Sequence, residues 1–407
     1  MERHVIDQIK YGLRYVPLSL AKSVVIPSSS KETETLRKRG FLCGVCHPDE
    51  NYEQIKKANI RWVRFDIPFP YNEDGSLSDS YLGFKRRAES YVQQGIKVMA
   101  VTPYPRDYLD AGIDFRLPEN EARLGEIALF FLRDLKGIVD AYQVTNEMGI
   151  PHFTIPLTLK EAARFIGVQL KAMYPERGDV LIGYNSAGPQ ADLHMLMKPY
   201  LPYCDYVGID IYIGCFSNVG GYLWFFDLML RYLWTYTRKP VILQEFGYIS
   251  GGEAKSPAEK EAVLQKYGVR TPQEAKDNIL PFVEKLPPRL RDHVIKVGGG
   301  DPSRYYDLIF NSDLTNHLYR ELPKRTHIPG YPHTPKGQAD FYRDILPRLY
   351  RIPYLCGAFI YCYTDAERCY ICGQGDCPTE TRWGLVDCEG GEKPSYYSVR
   401  DAFALMK

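Results

Sequence analysis

From residue 41 to the end of the chain, short apolar runs of β-type composition alternate with longer segments whose apolar residues recur at helical spacing. The strand-type runs are 41–46, 61–67, 97–102, 141–145, 180–184, 206–212, 240–246 and 355–361. Helix-type segments follow at 52–58, 80–94, 121–135, 159–173, 194–201, 222–235, 338–350 and 396–406. Eight strand–helix units predict a parallel sheet. The runs are apolar through their middles, as strands covered on both faces must be. Eight such units in 407 residues fit a closed (β/α)₈ TIM barrel, an α/β fold. No glycine-rich dinucleotide fingerprint follows the first run, which argues against an open doubly wound sheet.

Two stretches stand outside the repeat. Residues 1–39 read as an N-terminal helical extension, with Ile6, Ile9, Leu13 and Val16 at helical spacing. Residues 249–336 interrupt the seventh unit and are too long for a plain connection. Their Pro and Gly content, mixed with helical patterns such as 273–286, predicts a folded insertion on one rim of a single barrel domain spanning 40–407.

The net charge of +1 gives no overall field for nucleic acid or an anionic membrane. Every apolar stretch is interrupted before it reaches bilayer-spanning length. Residues 1–30 lack the uninterrupted apolar core and cleavage site of a secretory signal, so the expectation is a cytoplasmic protein. Its ten cysteines are then reduced thiols or metal ligands.

Barrel enzymes carry their chemistry at the C-terminal strand ends. The fourth run ends Val144-Thr145-Asn146-Glu147, and the seventh ends Leu243-Gln244-Glu245-Phe246-Gly247. Strands three apart in a ring of eight face each other across the mouth. One glutamate alone would be explained by a helix cap or an ion pair with arginine. Two facing each other suit glycoside cleavage, which needs an acid for the leaving oxygen and an anion for the anomeric carbon. Glu147 is expected to be the acid/base and Glu245 the nucleophile, whose charge would help keep Glu147 protonated.

These motifs resemble the clan A glycoside hydrolases, in which the acid/base follows an Asn at the end of strand four and the nucleophile ends strand seven. The resemblance runs from about residue 41 to the C-terminus. It implies double displacement at a β-linked sugar with retention of configuration, so the expected partner is a β-linked saccharide. It further implies that Arg64, near the end of strand two, pairs with Glu245. Asn146 would bond the sugar hydroxyl beside the anomeric carbon, and Tyr212 would contact the nucleophile. The clan's stacking tryptophan at the end of strand eight is missing from Ile360-Tyr361-Cys362-Tyr363-Thr364-Asp365. Tyr363 or Trp383 is expected to supply the stacking face. His47 is placed on the rim, within reach of sugar hydroxyls.

Cys369, Cys372, Cys377 and Cys388 have the spacing of a tetrahedral zinc site that would staple the loop carrying Trp383. No other cofactor and no catalytic metal is expected. Cys43-Gly44-Val45-Cys46-His47 matches a haem-attachment pattern, but inside a barrel strand the match is fortuitous. Gly298-Gly299-Gly300-Asp301 lacks the Lys-Ser/Thr of a phosphate cradle, and Arg37-Lys38-Arg39 reads as a solvated surface. The leading functional expectation is an exo-acting β-glycosidase, because the insertion would wall one side of the cleft into a pocket. The alternatives are an endo-glycanase with an open groove, a non-catalytic carbohydrate- or protein-binding barrel, and a metal-dependent barrel hydrolase.

Overall fold

The computed structural model describes residues 13, 17–18, 21–22, 24–154, 156–215, 223–322 and 327–407. The expected helix through Ile6, Ile9 and Val16 lies outside the described residues. Eight strands close into a barrel with every neighbouring pair parallel: β1 (Leu42–Cys46), β2 (Trp62–Asp66), β3 (Lys97–Val101), β4 (Ala141–Gln143), β5 (Leu181–Tyr184), β6 (Tyr206–Ile211), β7 (Val241–Phe246) and β8 (Leu355–Ile360). β1 pairs with β8 to complete the ring. No helix among the described residues is long and apolar enough to cross a membrane.

Alternation along each strand sorts the side chains into two cores. Val45, Val63, Val98, Tyr142, Ile182, Val207 and Leu243 point outward into the main core beneath the helices. Leu42, Trp62, Met99, Ala141, Leu181, Tyr206, Ile242 and Phe359 fill the barrel itself. Gly44 is a close-approach position, since a Cβ there would fall 2.2 Å from the ring of Phe359. The surrounding helices start where the sequence supplies caps, as at Leu159–Met173, where Thr158 and Glu161 form a reciprocal capping box.

β4 ends at Gln143, two residues earlier than the pattern 141–145 predicts. The reason is local. Thr145 and Glu147 both adopt left-handed backbone angles, with φ of 51° and 46°. A strand cannot continue through that conformation, and for a β-branched threonine it is strained.

The helices of the segment after β7, from Pro257–Lys266 to Leu314–Tyr319, enclose a core of their own. Val263, Phe282, Leu290, Val294, Ile309 and Leu318 form it, together with Cys369, Ile371, Cys372 and Cys377 from the loop after β8. The expected single helix over 273–286 is two short ones, Pro272–Asp277 and Ile279–Glu284, broken at Asn278.

Candidate active site

The upper layer of the barrel interior is polar, in contrast to the apolar layers beneath it. Arg64 from β2 is buried and uses all three guanidinium nitrogens. Nη1 donates to Glu245 Oε1 at 2.6 Å, Nη2 to Asn146 Oδ1 at 2.8 Å, and Nε to Gln143 Oε1 at 2.7 Å. The Tyr212 hydroxyl donates to the other oxygen of Glu245 at 2.5 Å. Glu245 is thus gripped on both oxygens, one by a charge-assisted bond.

A β-bulge aims Glu245. Strict alternation would turn it outward, because Ile242 and Gln244 face the barrel interior. In the register, Ile209 pairs with Leu243 and Asp210 with Glu245, so Gln244 is an extra residue. β8 shows the same offset between Leu243 and Phe246. Gln244 bonds inside the barrel to the Tyr206 hydroxyl at 3.1 Å, and Glu245 follows it inward to Arg64. Phe246 then returns to the outer core against Tyr342. Re-aiming one side chain is a recurrent use of bulges beside active sites.

Glu147 is oriented by its backbone. Its N–H donates to Asn185 Oδ1 at 2.8 Å, and the turn through Thr145 presents its half-buried side chain at the mouth. Burial, reinforced by the charge of Glu245, pushes its carboxyl up to about 8, against a smaller opposing pull from Arg64. The side chains of Glu147 and Asp210 also share a hydrogen bond. Asp210 lies on β6 beside Glu245 and is raised well above the usual carboxylate range by its own burial and by both glutamates.

Asn146 accepts three bonds on one oxygen, from Arg64, Gln143 Nε2 at 2.8 Å and Asn185 Nδ2 at 2.7 Å. That fixes which way the amide faces, and its NH₂ is not used by the network. Asn185 also donates to Asp210.

The aromatic residues are arranged differently from expectation. Tyr363 is fully buried and donates to Gln54 Oε1 at 3.0 Å, behind the barrel wall, so it offers no face to the cleft. Trp383 is also fully buried. It donates to the Thr379 carbonyl at 2.6 Å and packs edge-on to Tyr212 and Tyr361, supporting the floor without an exposed ring. The half-buried aromatic at the end of β8 is Tyr361, which also meets the ring of His47 at 5.4 Å. His47 is exposed on the rim after β1, with a left-handed φ of 49°.

Sequence reasoning missed Gln143, Asn185, Asp210, Tyr361 and Glu380. Asp210 was legible as a carboxylate inside the apolar run Ile209-Asp210-Ile211. Glu380 was not, because it arrives from the loop after β8. Buried beside the Tyr361 hydroxyl at 3.4 Å, its carboxyl is pushed up to about 8 by burial, with a further push from Glu245. Tyr370, whose ring is partly exposed on the same loop, has its hydroxyl pushed up by burial first and then by the charge of Glu380, with smaller pushes from Glu147 and Glu245.

Cys388 is exposed in the turn closed by Asp387 and Gly391. It stands apart from Cys369, Cys372 and Cys377, which are grouped instead with His317.

No protein-family model and no curated sequence matches the chain. Among solved structures, it is similar to a GH53 catalytic domain from Ignisphaera aggregans (16% identity, TM-score 0.55, covering 93% of this chain and 97% of that one). It is also similar to a family 39 glycoside hydrolase from Bacteroides cellulosilyticus (14%, TM-score 0.53, 93% and 66%). A GH2 β-galacturonidase from Eisenbergiella tayi matches at 13% identity and TM-score 0.50, over 90% of this chain and 51% of that one. The chain therefore spans about half the length of the GH2 protein it matches. At these identities the shared property is the barrel fold.

Proposed function

We propose that this chain is a glycoside hydrolase, and more narrowly a retaining β-glycosidase of the clan A type that acts on the non-reducing end of a saccharide. The observation that carries the reading is two carboxylates held in unlike surroundings in one site. Glu245 is held on both oxygens by Arg64 and Tyr212, while burial and the charge of Glu245 push the Glu147 carboxyl up to about 8. An anion and an acid facing one reacting bond are what double displacement requires.

In the first step Glu147 gives its proton to the glycosidic oxygen as the C–O bond breaks. An oxygen of Glu245 bonds to the anomeric carbon. The charge of Glu245 disappears in that bond, which removes one of the influences holding Glu147 protonated. Glu147, now a carboxylate, takes a proton from water as the water oxygen displaces Glu245 from the sugar. The amide NH₂ of Asn146 is suited to the adjacent sugar hydroxyl, and Tyr361 to the sugar face.

Exo action is supported by the core that the segment after β7 shares with the loop carrying Tyr370 and Glu380, a pairing that would wall one side of the mouth. The fold likeness to GH53, GH39 and GH2 proteins is consistent with the reaction class. A panel of nitrophenyl glycosides of both anomers identifies the sugar. On the β-glycoside that is turned over, Glu245→Ala is expected to abolish hydrolysis, and azide to restore part of it with an α-glycosyl azide as product. Wild-type turnover in Glu245→Gln refutes the assignment.

A further inference from the structure

Three of the ten cysteines converge on one histidine. Cys369, Cys372 and Cys377 come from the loop after β8, and His317 from the helix Leu314–Tyr319 of the segment after β7. All four are buried, and their ligand atoms lie within 4.8 Å of one another. His317 Nδ1 is 3.4 Å from Cys369 Sγ and 3.6 Å from Cys377 Sγ. A tetrahedral ion with bonds of about 2.3 Å to sulfur and 2.0–2.1 Å to nitrogen separates those atoms by roughly 3.6 Å. The two nitrogen–sulfur edges match that figure.

We propose that His317, Cys369, Cys372 and Cys377 bind one structural zinc ion. The loop is shaped for it. Cys369 and Cys372 are spaced C-x₂-C, the N–H of Cys372 donates to Cys369 Sγ at 3.4 Å, and Gly373 closes the turn with φ of 73°. An N–H aimed at sulfur favours the thiolate that metal binding requires. The other buried cysteines, Cys43, Cys46, Cys204, Cys215, Cys356 and Cys362, are dispersed and among the described residues converge on no shared histidine, and Cys43 and Cys46 lie against Arg61 and Arg64 instead. A disulfide would use two of the three clustered sulfurs and leave the third beside an unused imidazole. One tetrahedral ion uses all four groups. Four protein ligands leave no open position, so the ion would be structural. Its effect would be to pin the loop bearing Tyr370 and Glu380 to the segment after β7. The same pair of elements is already joined by Arg320 with Asp376 at 2.9 Å.

The test uses the full chain, produced without a polyhistidine tag in zinc-supplemented medium and passed over a chelating resin. Elemental analysis is expected to find one zinc ion per chain. Anaerobic exchange with Co²⁺ is expected to give the intense visible bands of a tetrahedral site together with thiolate-to-cobalt charge transfer. Cys388→Ser should keep the full metal content, while Cys377→Ser and His317→Ala should lower it several-fold. If those two variants fail to fold, the metal count and cobalt spectrum of the unaltered chain decide. Zinc-free protein, iron with a visible chromophore, or a disulfide between two of the three cysteines would overturn the proposal. None of these readouts depends on saccharide turnover, so the zinc site and the proposed hydrolase stand or fall separately.

Discussion

Glu147, Asp210 and Glu245 crowd around the guanidinium of Arg64, and one buried cation cannot balance three carboxylates withdrawn from water. Glu245 holds the direct ion pair with Arg64, while burial and the neighbouring carboxylates push Glu147 and Asp210 up. If Glu147 is the acid, kcat/KM should fall as pH rises through about 8, where it loses its proton. The same group affects stability. The folded chain keeps the Glu147 proton to about pH 8, whereas an unfolded chain releases it near about 4.3. Between those values the unfolded state holds fewer protons, so this group makes stability fall as pH rises. Glu147→Gln is therefore expected to stabilise the protein by about 1–3 kcal/mol near pH 8 and by little near about pH 4. Thermal unfolding at the two pH values checks it, and an equal shift at both would contradict the argument.

Tyr212 offers a second test of the same network. Its hydroxyl donates to Glu245, and a hydrogen bond to a charged group contributes about 1.5–3 kcal/mol. Tyr212→Phe is expected to lower kcat about 10- to 100-fold on the substrate that is turned over. Unchanged steady-state kinetics would remove Tyr212 from the machinery.

Two departures from ideal elements do most of the aiming. The left-handed turn at Thr145 and Glu147 cuts β4 short, and the bulge at Gln244 breaks the alternation of β7. Each costs regular backbone pairing and each brings a glutamate to the mouth. Below them the barrel is packed tightly enough that one methyl matters. Gly44→Ala would drive a Cβ to 2.2 Å from the fully buried ring of Phe359. We expect a loss of about 1–3 kcal/mol from this overpacking, read as a lower denaturation midpoint with an unchanged denaturant slope. A midpoint equal to that of the unaltered chain would show that the interior has slack.

For the molecule as a whole, the barrel supplies the proposed reacting groups, and the proposed walls of the cleft come from the later additions. Glu380 and Tyr370 reach the site from the loop after β8, and that loop shares a core with the segment after β7. If these walls close one end of the cleft, an oligosaccharide substrate should lose one sugar at a time from the non-reducing end. Chromatography of early products is expected to show the monosaccharide and the shortened chain. Early products of mixed intermediate length would favour an open groove.

The eight strands, their order and the two glutamates were legible without coordinates, because buried parallel strands must be apolar throughout and reacting groups sit at their C-terminal ends. Asp210 was readable too, as a charge in an apolar run. The aromatic contacts were not: Tyr361 stays half-buried beside Tyr212 while Tyr363 lies behind the wall, and that depends on how the chain leaves β8. Nor could spacing choose between Cys388 and His317 as the fourth member of the cysteine cluster. Cys388 is near the cluster in sequence yet exposed in its own turn, and His317 lies 52 positions before Cys369 yet within contact of it. Patterns along a chain record what each residue needs from its immediate neighbours. Which distant side chains meet is decided only when the helices of the segment after β7 pack against the loop after β8.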